Sequence, residues 1–362
     1  MIKFHRLKVA EVRRETPDSI SVRFEVPPEL REEYLYSQGQ HLTLCRAFDG
    51  VEERRSYSIC SGVQERELRV AIKRIDGGLF SNWANDHLKA GDELEVMPPV
   101  GNFYPHLPPG RNRHYVAFAA GSGITPIMSM IRTNLAEEPD CRFTLVYGNR
   151  DSRHVIFLEE LADLKNRYMA RFNLIHVFSR EPQEVELFNG RIDAAKVNAL
   201  LDSVLPPECI DQVFLCGPQP MIETVRETLA SRGVPRDHIH FELFTSPYAG
   251  VLGGAAKPKR ELKPEDAAHL SEVTIILDGK RTTFSLSRGA EPVLDAALRL
   301  RRDMPYACKG GVCATCKARL LEGKVEMDVN YGLEESEVEA GFVLTCQCHP
   351  ITDRVVLDYD QR

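Results

Sequence analysis

The chain has 362 residues, a formal net charge of −7, 43% hydrophobic and 27% charged residues. That length requires two or three domains rather than one, the composition is that of a globular protein, and the acidic balance argues against general nucleic-acid binding. Met1-Ile-Lys-Phe-His-Arg6 puts charges where a secretory signal needs an apolar core, and no apolar run reaches the length of a membrane span. The ten cysteines therefore read as thiols and thiolate ligands in a reducing cytoplasm.

Residues 1–107 carry the alternation that marks half-buried strands. It runs through Leu7-Lys-Val-Ala-Glu-Val12, Ser19-Ile-Ser-Val-Arg-Phe-Glu-Val26 and Glu67-Leu-Arg-Val-Ala-Ile-Lys-Arg74. Short strands separated by turn residues predict a small antiparallel β-barrel. In Arg55-Ser-Tyr57-Ser58, alternation puts Arg55 and Tyr57 on one face. A guanidinium there can grip a phosphate with two hydrogen bonds, and a phenol ring can stack on an isoalloxazine. Further on, Gly78-Leu-Phe-Ser81 offers backbone amides at a helix start and a hydroxyl, which suit a pyrophosphate. Each string also has an ordinary reading: surface and core on a strand for the first, a plain turn at Gly77-Gly78 for the second.

From residue 108 to 245 the pattern changes. His114-Tyr-Val-Ala-Phe-Ala-Ala120 is a continuous apolar run, as a strand buried on both faces should be. Phe143–Tyr147, Phe172–Phe178 and Gln212–Cys216 repeat it, and helical stretches at Val155–Arg167 and Met221–Arg232 lie between. Strands alternating with helices predict an α/β domain with a parallel sheet. Directly after the first strand comes Ala120-Gly121-Ser-Gly123-Ile-Thr125-Pro126, in which the glycines let the backbone approach a phosphate and Pro126 opens a helix. It is not G-x-G-x-x-G, so a standard Rossmann dehydrogenase is disfavoured. Cys216-Gly217-Pro218 ends a later strand, at the edge where α/β ligands bind; a small buried hydrophobe is the alternative for Cys216.

Residues 246–270, rich in Gly, Pro, Ala and Lys and without periodicity, read as a linker. Strand signals resume at Val273–Leu277, turn at Asp278-Gly279 and return at Thr282–Leu286. Pro292–Arg301 reads as a helix leading into Cys308-Lys-Gly-Gly-Val-Cys313-Ala-Thr-Cys316, with Cys346 after 29 further residues. C-x4-C-x2-C with a distant fourth cysteine is the plant-type spacing for a [2Fe–2S] cluster. Gly310 and Gly311 give the loop room to wrap closely. Structural zinc sites use two C-x2-C pairs or a Cys/His mixture and fit the spacing poorly. Cys348 can face the same way as Cys346 along an extended segment and is the competing fourth ligand.

Arg55-x-Tyr57-Ser58, Gly78-x-x-Ser81, Gly121-Ser-Gly-Ile-Thr-Pro126 and Cys216-Gly-Pro218 occur in the order found in the ferredoxin–NADP reductase superfamily, which this chain resembles. With the C-terminal cysteine segment and Val329-Asn-Tyr-Gly-Leu-Glu-Glu335, it is similar to the family of reductase subunits that serve bacterial phenylacetyl-CoA epoxidation. The resemblance implies a multidomain chain. An antiparallel β-barrel flavin domain (1–107) precedes an α/β parallel-sheet nucleotide domain (108–245), a linker (246–270) and an α+β, β-grasp-like ferredoxin domain (271–362). It implies FAD held by Arg55, Tyr57 and Ser58, by backbone groups of Ile72 and Lys73, and by Gly78 and Ser81. Tyr57 would lie against the ring and Ser58 near its reactive nitrogen. Gly121, Gly123, Thr125, Cys216 and Gly217 would border the pyridine nucleotide. Ser58, Cys216 and Glu242 form the implied catalytic set, and Phe244 is the candidate to shield the flavin. Ser179 and Arg180 match the family's 2′-phosphate pair, to which Arg150 adds, so NADPH is the expected substrate; Asp151 and Glu181 dilute that signal. The fourth-ligand context Thr345-Cys346-Gln347 assigns Cys346, with Cys308, Cys313 and Cys316, to the metal.

The resemblance implies that the partner is a di-iron oxygenase on separate subunits; no Glu-x-x-His pair on a bundle-like helix occurs here, so the oxygenation itself is not expected on this chain, and no nucleic acid and no membrane is expected. The acidic Leu333-Glu-Glu-Ser-Glu-Val-Glu339 either steers docking onto a basic patch or is a solvated helix face. Two rivals stand beside this reading: a reductase for another aromatic-ring or alkane oxygenase, and a non-catalytic iron–sulfur redox sensor.

Overall fold

The computed structural model describes residues 4–104, 112–244, 269–288, 291–333 and 335–361. Two compact units result, one from the bulk of residues 4–244 and one from the C-terminal region. Of the expected linker, residues 246–268 lie outside the described residues, and Leu270 already belongs to a strand.

The alternating segments of the first region form β1 (His5–Thr16), β2 (Ser19–Glu25), β3 (His41–Phe48), β4 (Val51–Ser58), β5 (Leu68–Lys73) and β6 (Glu93–Val96). Their order is β4-β3-β6-β1-β2-β5, and an antiparallel bridge between Ile59 and Val70 brings the two edge strands together. One face of β1, β2, β3 and β5 is apolar: Leu7, Val9, Ile20, Val22, Leu42, Leu44, Val70 and Ile72 are all buried in one core. Burying side chains of this kind contributes about 1.5–3 kcal/mol each. Helix α1 (Leu79–His87) seals that core with Phe80 and Ala84.

The second region forms a five-stranded parallel sheet of β7 (His114–Ala120), β8 (Arg142–Asn149), β9 (Phe172–Phe178), β10 (Gln212–Gly217) and β11 (Ile239–Leu243). The order is β11-β10-β7-β8-β9. The path of the chain across the sheet reverses between β7 and β10, which places a switch point at their carboxyl ends, where ligands of open α/β sheets bind. Helices α2 (Ile124–Glu137), α3 (Leu158–Arg167), α4 (Ala194–Ser203) and α5 (Gln219–Ser231) complete it. Two expectations are corrected. Helix α3 begins at Leu158 rather than Val155, because Val155, Ile156 and Phe157 are all buried and three consecutive inward side chains cannot share one helical stripe. Phe157 turns the chain at φ 64°. Helix α5 begins at Gln219, with Pro220 in its first turn, where the missing N–H costs nothing.

Helix α2 joins the two sheets. Ser129 Oγ donates to the Ser61 carbonyl at 2.7 Å, Thr133 Oγ1 accepts from Val63 N–H at 3.1 Å, and Arg132 pairs with Glu65 at 2.9 Å. The switch point is equally tight: a Cβ on Gly123 would lie 2.1 Å from the Cys216 carbonyl oxygen.

The C-terminal unit contains β12 (Leu270–Leu277), β13 (Lys280–Ser287), α6 (Val293–Leu300), β14 (Lys317–Glu322), β15 (Val325–Met327), α7 (Glu335–Glu339), β16 (Phe342–Leu344), β17 (Cys348–Pro350) and β18 (Arg354–Asp358). Its mixed sheet runs β13-β12-β18-β14-β16. Strands β12 and β18 are parallel, whereas β12–β13 and β14–β18 are antiparallel. This is the expected α+β, β-grasp-like arrangement. The two-residue turn at Asp278 (φ 53°) and Gly279 (φ 69°) has both central residues left-handed, as a type I′ hairpin requires. Among the described residues no helix is long and apolar enough to cross a membrane.

Gly123→Ala should destabilise the nucleotide-side unit by about 1–3 kcal/mol or more, the range for forced overpacking. Gly190→Ala, with nothing within 4 Å but φ +92°, separates backbone strain from collision. Denaturant midpoints check this, and equal losses would contradict the collision argument.

Candidate functional site

The structure gathers the first set of expected residues at the switch point. Ser58 ends β4 and Glu242 lies in β11, 184 positions apart, yet Ser58 Oγ donates to Glu242 Oε2 at 3.3 Å. Glu242 is the sheet neighbour of Cys216, whose carbonyl meets Gly123. Thr125 opens α2, buried, with its hydroxyl donating to the Ser122 carbonyl at 3.1 Å. Glu242 is half-buried overall, but its carboxyl is deeply enclosed, and that burial pushes its pKa to about 8, against a weaker lowering by Ser58. Burial, with the Glu242 charge beside it, pushes the Cys216 thiol well above the usual range. Cys216 is therefore a neutral thiol, and Glu242 holds a proton at neutral pH.

Tyr57 packs its ring 5.8 Å from Phe80, and Arg55 lies two residues before it in β4. Gly78 is the N-cap of α1 and brings no side-chain cap, so the first-turn amides of α1 have no capping side chain and suit an anion. Ser81 also has a structural task. Its hydroxyl is buried and accepts from Ile75 N–H at 3.2 Å, so it shapes the turn before the helix. The Ile72 carbonyl is likewise occupied, accepting from Asn85 Nδ2 at 3.0 Å. Asn85, missed in the sequence, also donates to the Ser81 carbonyl at 2.9 Å and accepts from Arg14 at 2.9 Å. Its signal was a polar residue on the buried face of an amphipathic helix. Lys73 pairs with Asp18 at 3.5 Å, and its Nζ reaches within 3.8 Å of where a Cβ on Gly121 would stand. Gly121 itself is left-handed, at φ +54°, and its carbonyl accepts from Tyr147 Oη at 2.9 Å. A Cβ on Gly217 would meet Met221 at 2.8 Å.

Arg150, Ser179 and Arg180 follow β8 and β9, and Arg180 N–H donates to the Arg150 carbonyl at 2.8 Å. The two neighbouring acids are engaged locally. Glu181 Oε2 accepts from the Ser152 amide and hydroxyl, both at 2.8 Å, which holds its pKa down. Asp151 meets His154 at 2.7 Å. Phe244, 42% exposed, directly follows β11.

In the C-terminal unit the four cysteines come together. The Gly310 and Cys313 amides approach Cys308 Sγ at 3.3 and 3.4 Å, and the Cys308 amide approaches Cys313 Sγ at 3.5 Å. Hydrogen bonding from the Cys313 thiol and these amides lowers the Cys308 pKa to about 6. Hydrogen bonding from the Cys316 thiol holds the Cys346 thiol below its usual range. Amides aimed at sulfur stabilise thiolate charge, so the donor set fits a thiolate-bound cluster. Gly311 sits at φ +75°, and a Cβ there would lie 2.9 Å from Val329. Tyr331 N–H donates to the Gly311 carbonyl at 3.0 Å, so the Val329–Leu333 segment packs on the cysteine loop. Cys348 is fully buried in the apolar core of this unit, in β17, where burial raises its thiol well above the usual range. No disulfide links any of the ten cysteines. Of the acidic segment, residue 334 lies outside the described residues, and Glu337 is bound to Lys317 at 2.9 Å.

Glu242 yields a pH prediction. Folding raises its pKa from 4.5 to about 8, so its contribution to stability is complete below the lower value and is lost as pH rises through the upper one. Unfolding midpoints of the wild type should fall relative to those of Glu242→Gln across that window. Parallel profiles would count against a protonated Glu242.

Comparison with known proteins agrees with this geometry. The family described as "Oxidoreductase FAD-binding domain" matches residues 6–104, "Oxidoreductase NAD-binding domain" matches 118–227, and "2Fe-2S iron-sulfur cluster binding domain" matches 275–350. The chain is 44% identical over 362 residues to a 1,2-phenylacetyl-CoA epoxidase subunit of Escherichia coli (strain K12), spanning 100% of this chain and 99% of that one. It is 36% identical over 355 residues to the 3-ketosteroid-9-alpha-monooxygenase ferredoxin reductase component of Rhodococcus rhodochrous, covering 98% and 96% of the two chains. The structure of phthalate dioxygenase reductase shares its fold over 98% of each chain, with a TM-score of 0.58 at 24% identity. The expected fold, cofactor set and oxidoreductase class are thus met. The chain belongs to the family of FAD-, NAD- and [2Fe–2S]-binding oxygenase reductase components that includes this 1,2-phenylacetyl-CoA epoxidase polypeptide.

Proposed function

We propose that this chain draws electrons from NADPH and delivers them to the di-iron oxygenase subunits of a cytoplasmic phenylacetyl-CoA epoxidase complex. The observation that carries the reading is the end-to-end 44% identity to a polypeptide of that enzyme, on a chain that holds both the Ser58–Glu242–Cys216 constellation and the four-cysteine loop. When bound, FAD supplies the conversion between the two-electron chemistry of a pyridine nucleotide and the one-electron chemistry of an iron–sulfur cluster.

The chain's residues divide the remaining work. Arg55, Tyr57 and Ser58 hold the flavin, with Gly78, the backbone of Ile72 and Lys73, and a turn shaped by Ser81. Gly121, Gly123, Thr125 and Gly217 let the nucleotide approach the carboxyl edge of the parallel sheet. Cys216, as a neutral thiol, borders the nicotinamide without placing charge there. Glu242 keeps a proton that the Ser58 hydroxyl can relay, and Phe244 shields the ring. Arg150, Ser179 and Arg180 bind the 2′-phosphate, the two guanidinium groups after β8 and β9 offsetting the nearby Asp151 and Glu181 carboxylates. Cys308, Cys313, Cys316 and Cys346 ligate the cluster. Domain limits of 1–107, 108–245 and 271–362 about a 246–270 linker belong to the same proposal.

Anaerobic titration with NADPH should bleach the flavin, and di-iron epoxidase components should then be reduced. Bleaching with transfer only to another oxygenase would reassign the partner, and no bleaching would return the redox-sensor reading. Arg180→Ala should raise KM for NADPH about tenfold, equivalent to about 1.4 kcal/mol, and leave NADH nearly unaffected. Cys346→Ser should abolish the cluster's visible absorption, whereas Cys348→Ser should keep it; the reverse would exchange the two ligands.

A further inference from the structure

Gln347, beside the remote cysteine, is completely buried. Glutamine is mostly a surface residue, and enclosing its amide is costly unless its polar atoms are satisfied. Here only one end of the amide is used. Nε2 donates to the Lys309 carbonyl at 3.1 Å, to the Cys346 carbonyl at 2.8 Å and toward Cys346 Sγ at 3.4 Å. Oε1 is buried with no hydrogen-bond partner among the described residues. A methionine would fill similar space without stranding an acceptor, so packing alone does not account for an amide here. The cysteine loop is shaped to meet it: Lys309 is left-handed at φ 48°, and a Cβ on Gly311 would lie 3.1 Å from Gln347 Cγ.

The other neighbour of Cys346 makes a second tie. Thr345 Oγ1 donates to the Cys316 carbonyl at 2.9 Å and accepts from Tyr359 Oη at 2.8 Å. Cys346 is thus held from both sides by buried polar side chains, one reaching the Cys316 end of the loop and one the Cys308 end. Of these two, only Gln347 points a donor at sulfur.

We propose that Gln347 is a positioning residue that sets the reduction potential of the cluster: its amide fixes Cys346 against the Cys308–Cys313 loop and donates a hydrogen bond to Cys346 Sγ. The proposal rests on the assignment of the four cysteines as cluster ligands. Reduction adds negative charge to a thiolate-bound cluster, so a donor at sulfur favours the reduced form and raises the potential.

The test is a potentiometric titration of the full-length holoprotein. Gln347→Met should keep the cluster's visible absorption and shift its potential to more negative values. Thr345→Val cuts the opposite tie without touching sulfur and should speed cluster loss on heating while leaving the potential unmoved. An unchanged potential in Gln347→Met, or an equal shift in Thr345→Val, overturns the proposal. Should Gln347→Met fail to retain a cluster, wild-type protein labelled with 15N in glutamine side chains supplies the answer by pulsed electron paramagnetic resonance of the reduced cluster. A side-chain nitrogen coupling supports the hydrogen bond, and its absence overturns it. A wild-type chain that takes up no cluster overturns the ligand assignment and this proposal together, a result distinct from a loaded cluster with an unmoved potential.

Discussion

The close approach of Gly123 to the Cys216 carbonyl is the constraint on which the flavin-side site depends. It sets β10 against the start of α2, and so fixes Cys216 and Thr125 relative to each other. The rest of α2 carries that reference to the barrel, through Ser129 to Ser61 and Thr133 to Val63. Ser61 lies three residues beyond Ser58. The hydroxyl that meets Glu242 is therefore positioned by the same helix whose first turn carries Thr125. Buried hydrogen bonds of this kind contribute modestly when made and cost more when one partner is lost, which favours one relative placement of the two sheets.

The electrostatics follow from that enclosure. Glu242 and Cys216 are sheet neighbours deep in one domain, and burial drives both toward their neutral forms. The cysteine cluster is different. There the Cys313 thiol and backbone amides converge on Cys308 and move it toward the thiolate, as the Cys316 thiol does for Cys346, while Cys313 and Cys316 themselves are pushed up. One chain thus keeps charge away from the place where a hydride acceptor would sit and supports charge where a cation cluster would bind.

Much of this is legible in the sequence, and the parts that are not share a cause. Alternation locates β1, β2 and β5, and a continuous apolar run locates β7, because the two strand types are solvated differently. The cysteine spacing is legible because three of four ligands lie in one short loop. The Ser58–Glu242 contact is not readable from periodicity, since it joins residues on different sheets; the family resemblance names the two residues but not the bond between them. Strand β11 leaves little trace in the pattern because Ile239–Leu243 is short and follows a loop. Phe157 is hidden because a left-handed phenylalanine contradicts its own propensity and is held by the buried residues around it. Asn85 and the buried role of Gln347 are equally hidden, because a buried amide looks like any surface amide until its partners are known.

The placement of β18 has a consequence for biosynthesis. It is the last strand of its sheet along the chain, yet it lies between β12 and β14, and its parallel pairing with β12 joins Glu272 to Arg354. Such distant pairings form late, because the intervening chain must be closed first. On the ribosome, the sheet beneath the cysteine loop stays open until residues 354–358 have emerged. The sheet of the cysteine-bearing unit is therefore completed only when Arg354–Asp358 takes its place between β12 and β14.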